Sequence, residues 1–454
     1  MKGAVPPRAT FREVLAVREF RVLWISVVLS TAGDRLVLVA LTLLVYGRTH
    51  SPLLAAVVYA SGYLPWVIGG LFLADVADRR PRRSVMVFCD GARAVLVAAM
   101  VVPHVPIWAL VGLLFAATMF APPFESARAS ITPDILQGER YVLGTAVLQT
   151  TLLAAQVLGA VGGGLAVAAI GVRRSLAVDA ATFVLSGLLI AVGTKARPAA
   201  AKPEAVEASP LARTRDGFRL IFGDPALRTL LLFGWLVGFY TIPEGIAAPY
   251  AAKLGGGPIA TGLVIASTTL STMIAIPFFT RFVRPRQRAN LMGPLAVLTC
   301  GSLVLTALRP SLAASLVIFS LSAAFGVYQI SANTAFVVRV PTERRAQAFG
   351  IASMGVIVGQ GVAFVAAGAA TVRFAPAAVI AVGGGIGAVV AFVLTLRWRH
   401  VSPPGGRHAA GRRPGRAAAP GSVPLRGSGW QRLRASVKSR CHALRILSRS
   451  RWVC

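Results

Sequence analysis

The sequence predicts an all-α membrane protein of twelve transmembrane helices in two six-helix pseudo-repeat halves. Three observations carry this. Twelve apolar runs follow one another along the 454 residues, most of them near the ~20 residues that take a helix across ~30 Å of hydrocarbon. Charged residues make up only 14% of the chain, against about 25% in a soluble globule, so most of the surface suits lipid rather than water. One polar stretch, 197–225, is the longest before the tail and divides the runs six and six.

The runs lie at roughly 21–46, 53–74, 84–102, 106–126, 142–170 and 175–195, then at roughly 227–249, 258–280, 289–307, 311–337, 346–370 and 374–396. Lipid offers no hydrogen bonds to open backbone, so each run is a helix or a barrel strand. Runs of this length without period-2 alternation are helices. The mean hydropathy of +0.70 agrees. The expected units are an N-terminal half (1–196), a cytoplasmic linker (197–225), a C-terminal half (226–397) and a basic tail (398–454).

Met1 to Glu19 is polar and basic, and the first run is too long for a cleaved signal, so it reads as a helix that stays. That run carries Asp34. A carboxylate at such depth costs about 2.5–3.5 kcal/mol on insertion scales. It needs a partner, a water-filled cavity or a proton, and all three point to a solute or ion pathway. Arg35 is adjacent but points about 100° away around the helix, so the two do not pair simply. Flanked by apolar groups, Asp34 is the first candidate to take a proton from one side and release it on the other.

After the second run comes a charged turn holding Asp78, Arg79, Arg82 and Arg83. In the third run Asp90 and Arg93 stand three apart, where they are expected to pair on one helix face and brace that turn. Glu125 and Arg128 repeat this spacing in the fourth. The fifth holds Gly159, Gly163 and Gly164, small residues that let helices approach closely. The sixth holds Asp179, read as structural. The seventh holds Glu244 between Pro243 and Gly245. These flanks predict a broken helix, a feature that lines cavities in transporters, and make Glu244 the second proton candidate. The intramembrane amides Gln149, Gln329 and Asn333 are expected to line the cavity, with Gln156 and Gln360 as further amides that line it or bond between helices. No cluster of Arg, Lys or His is expected deep in the helices, which disfavours a strongly anionic solute.

Orientation follows from Lys and Arg. Arg8, Arg12 and Arg18 precede the first run, and basic groups fill alternate connections (Arg79–Arg83, Arg281–Arg288, Arg339–Arg345). The remaining connections are short and poor in charge. Both termini are therefore expected in the cytoplasm. The formal charge of +31 would suggest nucleic acid in a soluble chain, but here the basic residues sit between apolar runs, so no nucleic acid is expected. The tail is rich in Pro, Gly and Ala at first and then reads as a basic amphipathic helix from Trp430. The four cysteines and five histidines suit no disulfide framework and no metal site. No G-x-x-x-x-G-K-[ST] loop is present, so direct ATP coupling, cofactors and enzymatic chemistry are not expected.

The segment GGLFLADVADRRPRRSVM (69–86) resembles the cytoplasmic signature of the major facilitator superfamily, G-x-x-x-D-R-x-x-R-R. Asp78, Arg79, Arg82 and Arg83 match it, and Ala74 stands where its glycine is expected. Residues 30–65 and 120–135 are similar to the drug- and siderophore-exporter branch that includes enterobactin and macrolide exporters. AAQVLGAVGGGLA (154–166) resembles the helix 5 antiporter motif, with Ala160 in place of its usual proline. The resemblance implies a monomeric multi-pass protein of the plasma membrane. It implies proton-driven export of a small amphipathic compound by alternating access, with Asp78 to Arg83, Asp90 and Arg93 as a gating cluster. An importer or facilitator, a flippase for a lipid-like substrate, and a non-transporting membrane partner remain open on the same fold.

Overall fold

The computed structural model describes residues 10–72, 80–197 and 210–401. Asp78, Arg79, the stretch 198–209 and the tail from 402 onward lie outside the described residues. Among those described there are helices and no strands. Twelve helices are long and apolar enough to cross a membrane: α1 (Arg18–Thr49), α2 (Pro52–Gly69), α3 (Arg82–Val101), α4 (Ile107–Ile135), α5 (Glu139–Ile170), α6 (Val172–Gly193), α7 (Pro225–Gly245), α8 (Pro258–Phe282), α9 (Gln287–Leu308), α10 (Leu312–Arg339), α11 (Gln347–Thr371) and α12 (Pro376–Val401).

Several helices outrun their apolar stretches. α4 continues to Ile135, well past the run that ends near 126, because the polar residues Glu125, Arg128 and Thr132 find partners within the helix itself. α2 starts under a Ser51 side chain that accepts from the Leu54 amide at 3.3 Å, with Pro52 at the first helical position. Asp224 does the same for α7, its Oδ1 accepting from the Ala226 amide at 2.7 Å and the Leu227 amide at 3.4 Å. Replacing Asp224 with alanine leaves those amides without their acceptor. The expected loss is about 1 kcal/mol, read as a lowered midpoint in thermal unfolding of the purified protein.

α7 is broken as Pro243 and Gly245 predict. After Trp235 it proceeds as short pieces, Val237–Tyr240 and Ile242–Gly245, and a further piece, Ala247–Lys253, follows. Gln329 of α10 serves the break, its amide donating to the Gly234 carbonyl at 3.1 Å and to the Tyr240 hydroxyl at 3.3 Å.

Within the first six helices, α1 packs on α5 and α6, and α3 packs on α6 and α4. Within the last six, α9 packs on α12 and α10, α7 on α10, and α8 on α10. The broadest contacts that join the sets are α5 on α8 and α2 on α11. These joints are tightest at the end of the bundle with the short connections. A side chain at Gly164 would stand 2.5 Å from the Pro258 carbonyl oxygen, and one at Gly262 would stand 2.5 Å from that of Ala160. One at Gly368 of α11 would stand 3.1 Å from the Pro52 carbonyl oxygen. Gly159 and Gly163 do the same work against α1, facing Ala32 and Leu36. The glycines thus let backbone lie against backbone.

At the opposite, basic end the ties run inside the first six helices. Arg82 pairs with Asp134 of α4, and Arg83 donates to the Ala191 carbonyl of α6. Arg197 Nη2 donates to Glu19 Oε2 at 3.0 Å. Among the described residues, neither Arg82 nor Arg83 bonds to the last six helices.

Candidate functional site

A cavity of about 350 Å³ opens among α1 to α6 and α11. α1 supplies Ser30, Thr31, Asp34 and Arg35; α2 supplies Tyr63 and Trp66; α11 supplies Ile357 and Gln360. Phe124 and Phe183 add aromatic wall, so the lining is largely apolar with a few convergent charges.

Asp34 presents 41% of its side chain to this space. Its Oδ2 accepts from Arg93 Nη2 at 3.2 Å. Arg93 is itself almost wholly enclosed, at 2% exposure, and its Nη1 donates to Ser30 Oγ at 2.9 Å. The Phe183 ring lies 5.1 Å from its guanidinium carbon, a cation–π contact that steadies the charge. The expected Asp90–Arg93 pair is therefore not formed. Residues three apart can meet on a helix, but Arg93 turns across to α1, and Asp90 is fully buried with its Oδ2 2.6 Å from the Ser186 hydroxyl of α6.

Arg35 diverges from Asp34, as their one-residue separation requires, and serves a different wall. Its Nη1 donates to the Tyr63 hydroxyl at 3.0 Å and its Nη2 to Gln156 Oε1 at 2.7 Å. Arg35 and Arg93 together overturn the expectation that no basic cluster lies deep in the helices. Glu125 also lines the cavity and forms its expected pair, accepting from Arg128 Nε at 2.9 Å.

Glu244 lies outside this lining. Its Oε2 accepts from the Tyr59 hydroxyl of α2 at 3.2 Å and its Oε1 from Thr268 Oγ1 of α8 at 2.7 Å. It therefore joins helices from both sets of six. Beside it the rings of Tyr59 and Tyr63 both meet Phe364 of α11 edge-on, at 5.1 and 5.3 Å between centroids. These three rings cluster where α2 meets α11.

Three amides expected in the cavity are not part of its lining. Gln149 shares a face with Gln156, seven residues on, but lies two turns nearer the basic end and is exposed. Gln329 is used up on the α7 break. Asn333 is exposed. Gln156 and Gln360 take the cavity positions instead. Among the described residues no group of His, Cys, Asp and Glu is arranged to hold a metal.

The profile of the Major Facilitator Superfamily matches residues 23–354 and 246–453. The multidrug efflux pump Tap of Mycolicibacterium fortuitum is 26% identical over 294 residues, covering 62% of this chain and 71% of that protein. Among solved structures, the nucleoside transporter NupG superposes with a TM-score of 0.63 at 16% identity, covering 84% of this chain and 99% of that one. A POT family transporter in complex with a thioalcohol-conjugated peptide reaches 0.67 at 11% identity, covering 85% and 97%. A bacterial homologue of the iron transporter ferroportin, in an inward-facing state, reaches 0.62 at 16% identity, covering 85% and 99%. At these identities the solved structures establish the fold alone.

Proposed function

The chain belongs to the Major Facilitator Superfamily, and from that premise we propose that it exports a small amphipathic compound across the plasma membrane in exchange for protons. Residues 1–196 and 226–397 act as the two halves of an alternating-access machine. The cavity between them is exposed to one side and then the other. Both termini and the basic end face the cytoplasm, in keeping with the Lys and Arg bias of the connections.

The observation that carries this reading is the setting of Asp34. It is a half-exposed carboxylate in a cavity wall deep in a helix bundle, held by one contact to an enclosed guanidinium. A structural ion pair has no reason to face a cavity. A proton-handling acid must face it, because its proton arrives and leaves by water. The aromatic and apolar lining suits an amphipathic cargo. The likeness to a multidrug efflux pump supports export.

The test is transport in everted vesicles, using a compound found by an accumulation screen. Asp34→Asn keeps the side-chain shape and removes the titratable charge. Uptake driven by a proton gradient is expected to fall to background, while exchange of labelled for unlabelled compound continues. Proton-driven uptake that survives Asp34→Asn overturns the coupling assignment.

A further inference from the structure

Behind Asp34 the structure holds two more carboxyl groups, and neither has a cation of its own. Asp90 of α3 and Asp179 of α6 are both fully enclosed. Among the described residues Asp90 Oδ1, Asp179 Oδ2 and Arg93 Nε are buried without a hydrogen-bond partner. The charged groups acting on Asp90 are Arg93 and Asp34. Those acting on Asp179 are the same two. Asp34 itself feels Arg93, Arg35 and Glu125. Arg93 thus contacts Asp34 and reaches Asp90 and Asp179 through its field alone, while Arg35 is turned to Tyr63 and Gln156, and Glu125 is paired with Arg128.

Hydrogen counting agrees with a proton on each of Asp90 and Asp179. Ser186 Oγ has one hydrogen and two acceptors in reach, Asp90 Oδ2 at 2.6 Å and the Ser26 carbonyl at 3.2 Å. Both contacts are satisfied if Asp90 carries a proton and donates it to Ser186, whose own hydrogen goes to Ser26. Thr182 Oγ1 repeats the pattern, lying 2.8 Å from the Asp179 carbonyl and 3.3 Å from Asp179 Oδ1. A proton on Asp179 Oδ1 resolves it in the same way. With all three carboxyls ionised, one guanidinium would leave two buried negative charges uncompensated, an arrangement proteins avoid.

The geometry points to Asp90 and Asp179 as proton-holding sites that feed Asp34 through exchange of Arg93 between carboxylates. This rests on the proton-coupled reading above and names the groups that serve it. At rest Asp34 is ionised on Arg93, and Asp90 and Asp179 are neutral. In the exchange the Asp90 O–H bond breaks and an Asp34 O–H bond forms. The guanidinium follows the negative charge from α1 to Asp90, and Asp34 then gives its proton to cavity water. Among the described residues no hydrogen bond joins the carboxyls to one another, so the proton crosses on water that enters from the cavity when Arg93 moves aside. Cargo or conformation can trigger it by taking Asp34 away from Arg93.

Infrared spectroscopy of the purified protein tests this without any transport assay. Wild-type protein grown with carboxyl-13C aspartate is expected to show isotope-shifted C=O bands of protonated carboxylic acids at neutral pH. Asp90→Asn and Asp179→Asn are each expected to remove one of them. Absence of any aspartic acid band in the labelled wild type overturns the proposal, and this measurement needs no variant to fold. Bands that survive both substitutions also overturn it. If the bands are present and removable but wild-type transport ignores the proton gradient, the coupling reading fails and the protonation sites stand. If transport follows the gradient and the bands are absent, the sites fail alone.

Discussion

Arg93→Met is expected to be the most damaging single change in the protein. Methionine fills the space but removes the cation that contacts Asp34 and whose field reaches Asp90 and Asp179. Breaking a buried pair by deleting one partner typically costs about 3–5 kcal/mol, and the 41% of Asp34 open to the cavity lowers that cost for this pair. Here the Phe183 contact is lost as well. The expected outcome is a large fall in unfolding temperature and in the yield of folded protein, together with loss of transport. Adding Asp34→Asn to Arg93→Met removes the stranded carboxylate and is expected to recover much of the stability but none of the proton-driven transport. If the single variant unfolds like wild type, the guanidinium does not hold this group together. If the double variant is no more stable than the single one, Asp34 is not the carboxylate left stranded.

The second large effect is expected from Gly164→Leu. The α5 and α8 backbones meet where even a methyl group would lie 2.5 Å from the Pro258 carbonyl oxygen. Backbone cannot yield as the tip of a side chain can, so the two helices must separate at this end. Overpacking of this kind typically costs about 1–3 kcal/mol, and a leucine belongs at the upper end. The functional consequence is specific. The short-connection end no longer closes, and labelling of a cysteine placed near Ile259 by a membrane-impermeant thiol reagent is expected to rise severalfold as transport falls. Gly162→Leu is the control, since a side chain there meets nothing within 4 Å. Equal labelling in the two variants would remove the close approach from the account.

The twelve spans were legible because lipid enforces length and apolarity on every helix, and the break in α7 was legible because Pro243 and Gly245 force it. The ends were less so. α4 runs on to Ile135 on polar residues that satisfy one another, and a scan for apolar runs does not register that. Side-chain contacts were legible where the helix period alone decides. Asp34 and Arg35 diverge because adjacent residues must, and Glu125 meets Arg128 on the same face. They were misread where a choice between partners decides. Arg93 had an acid on its own helix at a favourable spacing and took one from α1 instead, because α3 and α1 both pack on α6 and Arg93 is enclosed there. Gln149 and Gln156 are alike in type and face, and only their depth along α5 separates them. Depth in an apolar helix leaves no trace in its periodicity.

The Tyr59–Tyr63–Phe364 cluster binds the two bundles to each other. Its rings come from α2 and α11, so each bundle supplies part of it. Separation at that point also means rupture of the Tyr59–Glu244 contact. Parting the two bundles there therefore breaks contacts on both at once.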